Sequence, residues 1–132
     1  MKLSLSIDAF EEQLFRDLRK YLQGGNLEII EKNNVRLKAR YHVGVSLFID
    51  VFYATRTRKI SFAVIQNGDR VFGIDNLGFW HCHPFRNPQK HEPMEEPSIE
   101  EIVSQCKLAI NGLATAVGAP SERYDLKMED GR

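Results

Sequence analysis

From Val35 to Val43 the chain alternates without a break, with Val35, Leu37, Ala39, Tyr41 and Val43 on one side of an extended backbone and Arg36, Lys38, Arg40 and His42 on the other. No other stretch constrains the fold as much. A period of two demands a strand with one buried and one wet face, which is the habit of antiparallel sheets. The segments that follow continue the pattern. SLFIDVFY (46–53) comes after a glycine-containing turn, and ISFAVI (60–65) and RVFGID (70–75) flank Asn67-Gly68, the strongest short hairpin signal. LEIIE (27–31) adds a short strand before an Asn33-Asn34 turn, and WHCHP (80–84) adds one at the far end.

Helices bracket this sheet. Phe10, Leu14, Leu18, Tyr21 and Leu22 recur at helical steps, predicting a helix over 7–23, capped by Ser6 or Asp8, stapled by Leu5 and Phe10, and stopped by Gly24-Gly25. After a loop punctuated by Pro84, Pro88, Pro93 and Pro97, the capping box Ser98-Ile99-Glu100-Glu101 opens a second helix. It buries Ile102, Val103, Cys106, Ala109, Ile110, Leu113 and Val117 before Gly118 and Pro120 end it. The expected fold is α+β: an N-terminal helix, an antiparallel meander of four to five strands, and a C-terminal helix packed on one face of the sheet. The 132 residues suit one domain, residues 1–118, followed by a loose polar tail, 119–132.

Charge and cysteine content narrow the classes. The 18 basic and 18 acidic residues cancel, so electrostatic recognition must come from local segregation of charge. Two cysteines make no disulfide framework, charges at Asp8, Glu11 and Glu12 interrupt any apolar leader, and nothing approaches a membrane span. A cytoplasmic, soluble protein without membrane contact is expected. The acidic run Glu95, Glu96, Glu100 and Glu101 suits a helix start, and Cys106 suits the core.

With Val43, Gly44 and Val45 as a three-residue loop, His42 lies opposite Ser46, Arg40 opposite Phe48, Lys38 opposite Asp50 and Arg36 opposite Phe52. Arg36, Lys38, Arg40 and His42 then share a face with Phe48 and Phe52, a mixture suited to phosphates and stacked bases, that is, to RNA. A plain solvated strand face has the same composition.

The chemistry-bearing residues cluster in WHCHPFRNPQKHE. Three of the four histidines, His81, His83 and His91, fall here, with Arg86 and Lys90 beside them and Asp75-Asn76 just upstream. In an extended chain His81 and His83 point to one side, Trp80 and Cys82 to the other. One reading is acid–base cleavage of RNA without a metal or other cofactor: His81 and His83 transfer protons, His91 takes part or binds, and Arg86 or Lys90 meets the phosphate. Asp75, Asn76 and Trp80 support the site. A second reading is a metal site, with His81 and His83 chelating one ion and His91 or Asp75 completing it. A third makes the imidazoles hydrogen-bonding loop residues.

The segment from about Val35 to Val103 resembles the TumE family of toxins from toxin–antitoxin modules. The resemblance is carried by LFIDVFY, QNGDRVFGIDN, Asp75-Asn76 followed by His81 and His83, His91 after a proline-containing loop, and EEPSIEEIV. It implies a toxin neutralised by a cognate antitoxin protein, acting as an endoribonuclease or another inhibitor of translation. The family pattern has adjacent histidines, where this chain inserts Cys82. The N-terminal helix lies outside the match and offers a surface for the antitoxin or for a homodimer. The alternatives are a non-catalytic RNA- or protein-binding module and a metal-dependent hydrolase.

Overall fold

The computed structural model describes residues 5–115. The order is α1 (Ile7–Tyr21), β1 (Asn26–Lys32), β2 (Arg36–Gly44), β3 (Leu47–Ala54), β4 (Lys59–Gln66), β5 (Asp69–Asp75), β6 (His81–His83), β7 (Glu92–Pro93) and α2 (Ile99–Thr115). The strands form one seven-stranded antiparallel meander in chain order. The α+β architecture matches the sequence expectation. The strand number exceeds it because the short end segments β1 and β6 both join the sheet and the chain then doubles back at Glu92–Pro93 to pair with His81 and Cys82.

Local chemistry explains the element ends. Ser6 caps α1 by accepting from the Ala9 N–H, and the chain leaves the helix at Leu22 before Gly24 turns with φ +90°. Asn33 Oδ1 accepts from the N–H groups of Val35 and Arg36, fixing the β1–β2 turn. Asn67 and Gly68 both take positive φ, +53° and +86°, as a type I′ hairpin turn requires. The capping box of α2 is complete: Glu101 N–H donates to Ser98 Oγ at 3.0 Å and Ser98 N–H to Glu101 Oε1 at 2.7 Å. The expected helix end at Gly118 and Pro120, and the tail, lie outside the described residues.

Both helices cover the same face of the sheet. Phe10, Leu14 and Leu18 of α1 and Ile99, Ile102, Val103, Cys106 and Ala109 of α2 share a core with Leu37, Ala39, Tyr41, Ile49, Val51, Tyr53, Phe62 and Val64. Glu100 ties the helices together, accepting from Lys20 Nζ and from the Tyr21 hydroxyl at 2.7 Å each. Both cysteines are free thiols. Burial pushes the Cys106 thiol far above its ordinary range, and burial followed by the Glu92 charge pushes Cys82 up.

The β2–β3 register differs from expectation by two residues. His42 faces Phe48, Arg40 faces Asp50, Lys38 faces Phe52 and Arg36 faces Ala54. The turn is two residues, Val45-Ser46, with Ser46 at φ +57°, and a bulge between His42 and Gly44 absorbs the extra residue. A shift of two preserves parity, so Arg36, Lys38, Arg40, His42, Phe48 and Phe52 still share the face opposite the helices.

One close approach anchors the junction of α1 and the sheet. Tyr41, 2% exposed, donates its hydroxyl proton to Leu22 O and accepts from the Gly25 N–H at 3.2 Å. A Cβ on Gly25 would stand 2.4 Å from the Tyr41 ring. Gly25→Ala therefore has to displace a buried ring and break its hydroxyl contacts, and is expected to lower stability by about 2–4 kcal/mol in urea unfolding.

Candidate functional site

Sheet parity assembles the site before any loop is considered. On β5 and β6, Gly73 pairs with His83 and Asp75 with His81, so Asp75, His81 and His83 share the face opposite the helices, while Ile74 and Cys82 point to the core side. Gly73 lies under the His83 ring: a Cβ there would meet His83 Cδ2 at an ordinary 3.5 Å but would crowd the Phe62 carbonyl oxygen at 3.2 Å.

The loop from Pro84 to His91 then returns the third ring. Two consecutive turns, Asn87 N–H to Pro84 O and Lys90 N–H to Asn87 O, fold it back. Phe85 anchors it against α2, where its ring occupies the place a Cβ on Gly112 would need. The three imidazoles converge with centroids 4.9 Å (His81–His83), 4.9 Å (His81–His91) and 4.6 Å (His83–His91) apart. His81 and His83 are 4% and 3% exposed, whereas His91 is open to solvent.

The hydrogen bonds fix which nitrogens face inward. His81 Nδ1 lies 2.8 Å from Phe79 O and His83 Nδ1 lies 3.0 Å from Pro88 O. A carbonyl oxygen only accepts, so both Nδ1 atoms carry hydrogen. The two Nε2 atoms both face Asp75, His81 Nε2 at 3.2 Å from Oδ1 and His83 Nε2 at 3.1 Å from Oδ2. If the rings were neutral, nitrogen lone pairs would face carboxylate lone pairs. The arrangement therefore calls for a cation on the Nε2 side, either protons or a metal ion.

The cluster favours the charged form of the carboxylate and the neutral form of the outer imidazole. Burial alone would raise the Asp75 carboxyl, but hydrogen bonds from His83 and the Leu77 N–H, with the charges of His81 and His83, bring it below its ordinary value. The His91 imidazole is lowered, first by desolvation and then by the charges of His83, His81 and Arg70.

Arg70 is a site residue the sequence reading missed. Strict alternation would place it with Phe72 and Ile74 on the core side, but β4 and β5 slip between Val64 and Ile65, so that Arg70 pairs with Ile65 opposite the helices. An arginine in phase with buried residues was the available clue. Of the cations expected at the phosphate, Arg86, at φ +79°, stacks over Phe85 with 5.2 Å to the ring, and Lys90, next to His91 in the chain, pairs with Glu92 at 3.2 Å. Asn76 supports the turn, accepting from Ile60 N–H and donating to Arg58 O. Trp80 packs against the core.

The basic and aromatic residues of β2 and β3 share this open face but stand apart from the histidines. Three strands separate β2 from β6, or about 19 Å between their axes at ordinary strand spacing. The arginine charge is compensated, Arg40 meeting Asp50 at 3.2 Å and Arg36 meeting Glu31 at 3.6 Å, and His42 Nε2 lies 2.7 Å from Glu28 Oε1. The guanidiniums of Arg36 and Arg40 also lie over Phe52 and Phe48, 5.4 Å and 4.7 Å from the ring centres.

No helix among the described residues is long and apolar enough to cross a membrane. No family model, curated protein or solved structure matches the chain.

Proposed function

We propose that this protein is a toxin-like endoribonuclease of the TumE kind, reacting at His81, His83, His91 and Asp75. The observation that supports this reading is the convergence of three imidazoles around one carboxylate on the open face of the sheet. Cleavage proceeds by attack of the ribose 2′-hydroxyl on the adjacent phosphorus, breaking the bond to the 5′-oxygen and leaving a 2′,3′-cyclic phosphate and a 5′-hydroxyl. The reaction needs an acceptor for the 2′-hydroxyl proton, positive charge beside the phosphate and a proton for the departing oxygen. His91 is the solvent-open member that meets the substrate. Arg70 supplies fixed positive charge near it, and the cation held on the Nε2 side of His81 and His83 supplies the rest.

Phe48, Phe52, Lys38 and the arginines of β2 extend the surface along which the RNA lies. A cognate antitoxin protein is the expected partner, and the outward side of α1, where Phe15 is 44% exposed beneath Arg19, is the surface offered to it.

Expression of the full chain is expected to arrest growth, and the purified protein to release RNA fragments with cyclic phosphate ends. Because His91 is exposed, His91→Ala should fold normally and cleave at least about a hundredfold more slowly. Parental cleavage by that variant, or no cleavage by the parent, would count against the proposal.

A further inference from the structure

We infer that His81, His83 and His91, with the carboxylate of Asp75, bind one divalent transition metal ion of the zinc class. The inference rests on the same cluster as the ribonuclease reading, but not on RNA being its substrate.

Three independent features of the cluster support it. The first is the commitment of both buried Nδ1–H groups to main-chain oxygens, Phe79 O and Pro88 O. Metal-binding histidines are oriented in this way, one ring nitrogen donating to a fixed acceptor so that the other presents its lone pair to the ion. Phe79 and Pro88 thus act as positioning residues through their carbonyls.

The second is spacing. Donors held about 2.0–2.1 Å from a tetrahedral ion are about 3.3–3.4 Å from one another. His81 Nε2 lies 3.2 Å from Asp75 Oδ1 and His83 Nε2 lies 3.1 Å from Oδ2, each near that length though to a different oxygen. The ligand atoms of the three imidazoles all lie within 4.8 Å of one another. Closure asks the donors to draw together, and His91, on an exposed loop just before a two-residue strand, is the ring placed to move.

The third is the chemistry of the donors. A set of three imidazoles and one carboxylate suits zinc or cobalt, whereas magnesium and calcium prefer all-oxygen sites. With the ion in place the rings act through it, and the metal-free acid–base form expected from the sequence gives way to one in which the ion carries the positive charge beside the phosphate.

The test uses the untagged full chain, stripped with chelator, dialysed and titrated with Co(II), Zn(II) and Mg(II). Expected are uptake of one Co(II) per chain with the visible spectrum of a four-coordinate ion and a rise in Tm of roughly 5–10 °C at a hundredfold Zn(II) excess over Kd. Mg(II) should have no effect. His91→Ala and Asp75→Asn should each weaken Zn(II) binding at least about tenfold, while His42→Ala, far along the sheet, should not. Absence of one-to-one uptake would overturn the inference, as would parental Zn(II) affinity in both site variants. Zinc binding without RNA cleavage would leave the metal site and remove the ribonuclease. RNA cleavage that persists after stripping, with no metal uptake, would do the reverse.

Discussion

Asp75→Ala is expected to slow RNA cleavage by about 10²–10⁴-fold while leaving the protein folded. The carboxylate meets both buried imidazoles, through a different oxygen for each. Removing it leaves the two Nε2 atoms with no anion to balance the cation they hold, whether that cation is a metal ion or a pair of protons. Folding should survive because the side chain points away from the core shared by the helices, and its main structural role there is to accept the Leu77 N–H at the end of β5. Asp75→Asn keeps an oxygen for Leu77 but not the charge, so its turn should be intact and its activity still low. Single-turnover rates on a defined RNA, read beside circular dichroism melts, separate the two effects. A folded Asp75→Ala protein that cleaves at the parental rate would remove Asp75 from the reaction centre.

The prominence of Asp75 shows which information the sequence carried. Parity was legible: Leu37, Ala39 and Tyr41 turn to the core, Arg36, Lys38 and Arg40 turn away, and His81 and His83 share a side, because period two survives any even change of register. Positions that depend on a bulge were not legible. The irregularity between His42 and Gly44 moved each β2–β3 pair by two residues, and the one between Val64 and Ile65 carried Arg70 to the open face. A bulge leaves no periodic trace, since it is one extra residue stabilised by contacts made only after the sheet forms. His91 was legible as a candidate by composition alone. Its meeting with His83 depends on two turns and on Phe85 finding Gly112, contacts between segments with no shared pattern. Glu101 completes a capping box spelled out by its neighbours, yet the partners of Glu100, Lys20 and Tyr21, lie about eighty residues earlier in the chain, beyond any local rule.

The second large effect concerns stability. Phe10→Ala is expected to cost about 3–5 kcal/mol, a sizeable fraction of what holds a domain of this size together. Phe10 is wholly buried, stacks on Tyr53 at 4.3 Å with an interplanar angle of 17°, and meets Phe62 at 6.5 Å, so one ring of α1 spans β3 and β4. Its neighbours are poorly placed to fill the gap. The Tyr53 hydroxyl donates to Leu5 O at 2.6 Å, so collapse of that ring toward the cavity would break a bond that holds the chain entering α1. Phe62 belongs to a strand paired on both sides, with Val51 and with Ile74. The cavity should therefore stay largely open, placing the cost toward the upper end of the range and lowering Tm by roughly 10–20 °C. Phe10→Leu, which retains most of the volume, should cost less than half as much. Equilibrium urea unfolding of both variants checks the ordering, and equal stability of Phe10→Ala and the parent would mean that α1 does not pack on the sheet through this ring.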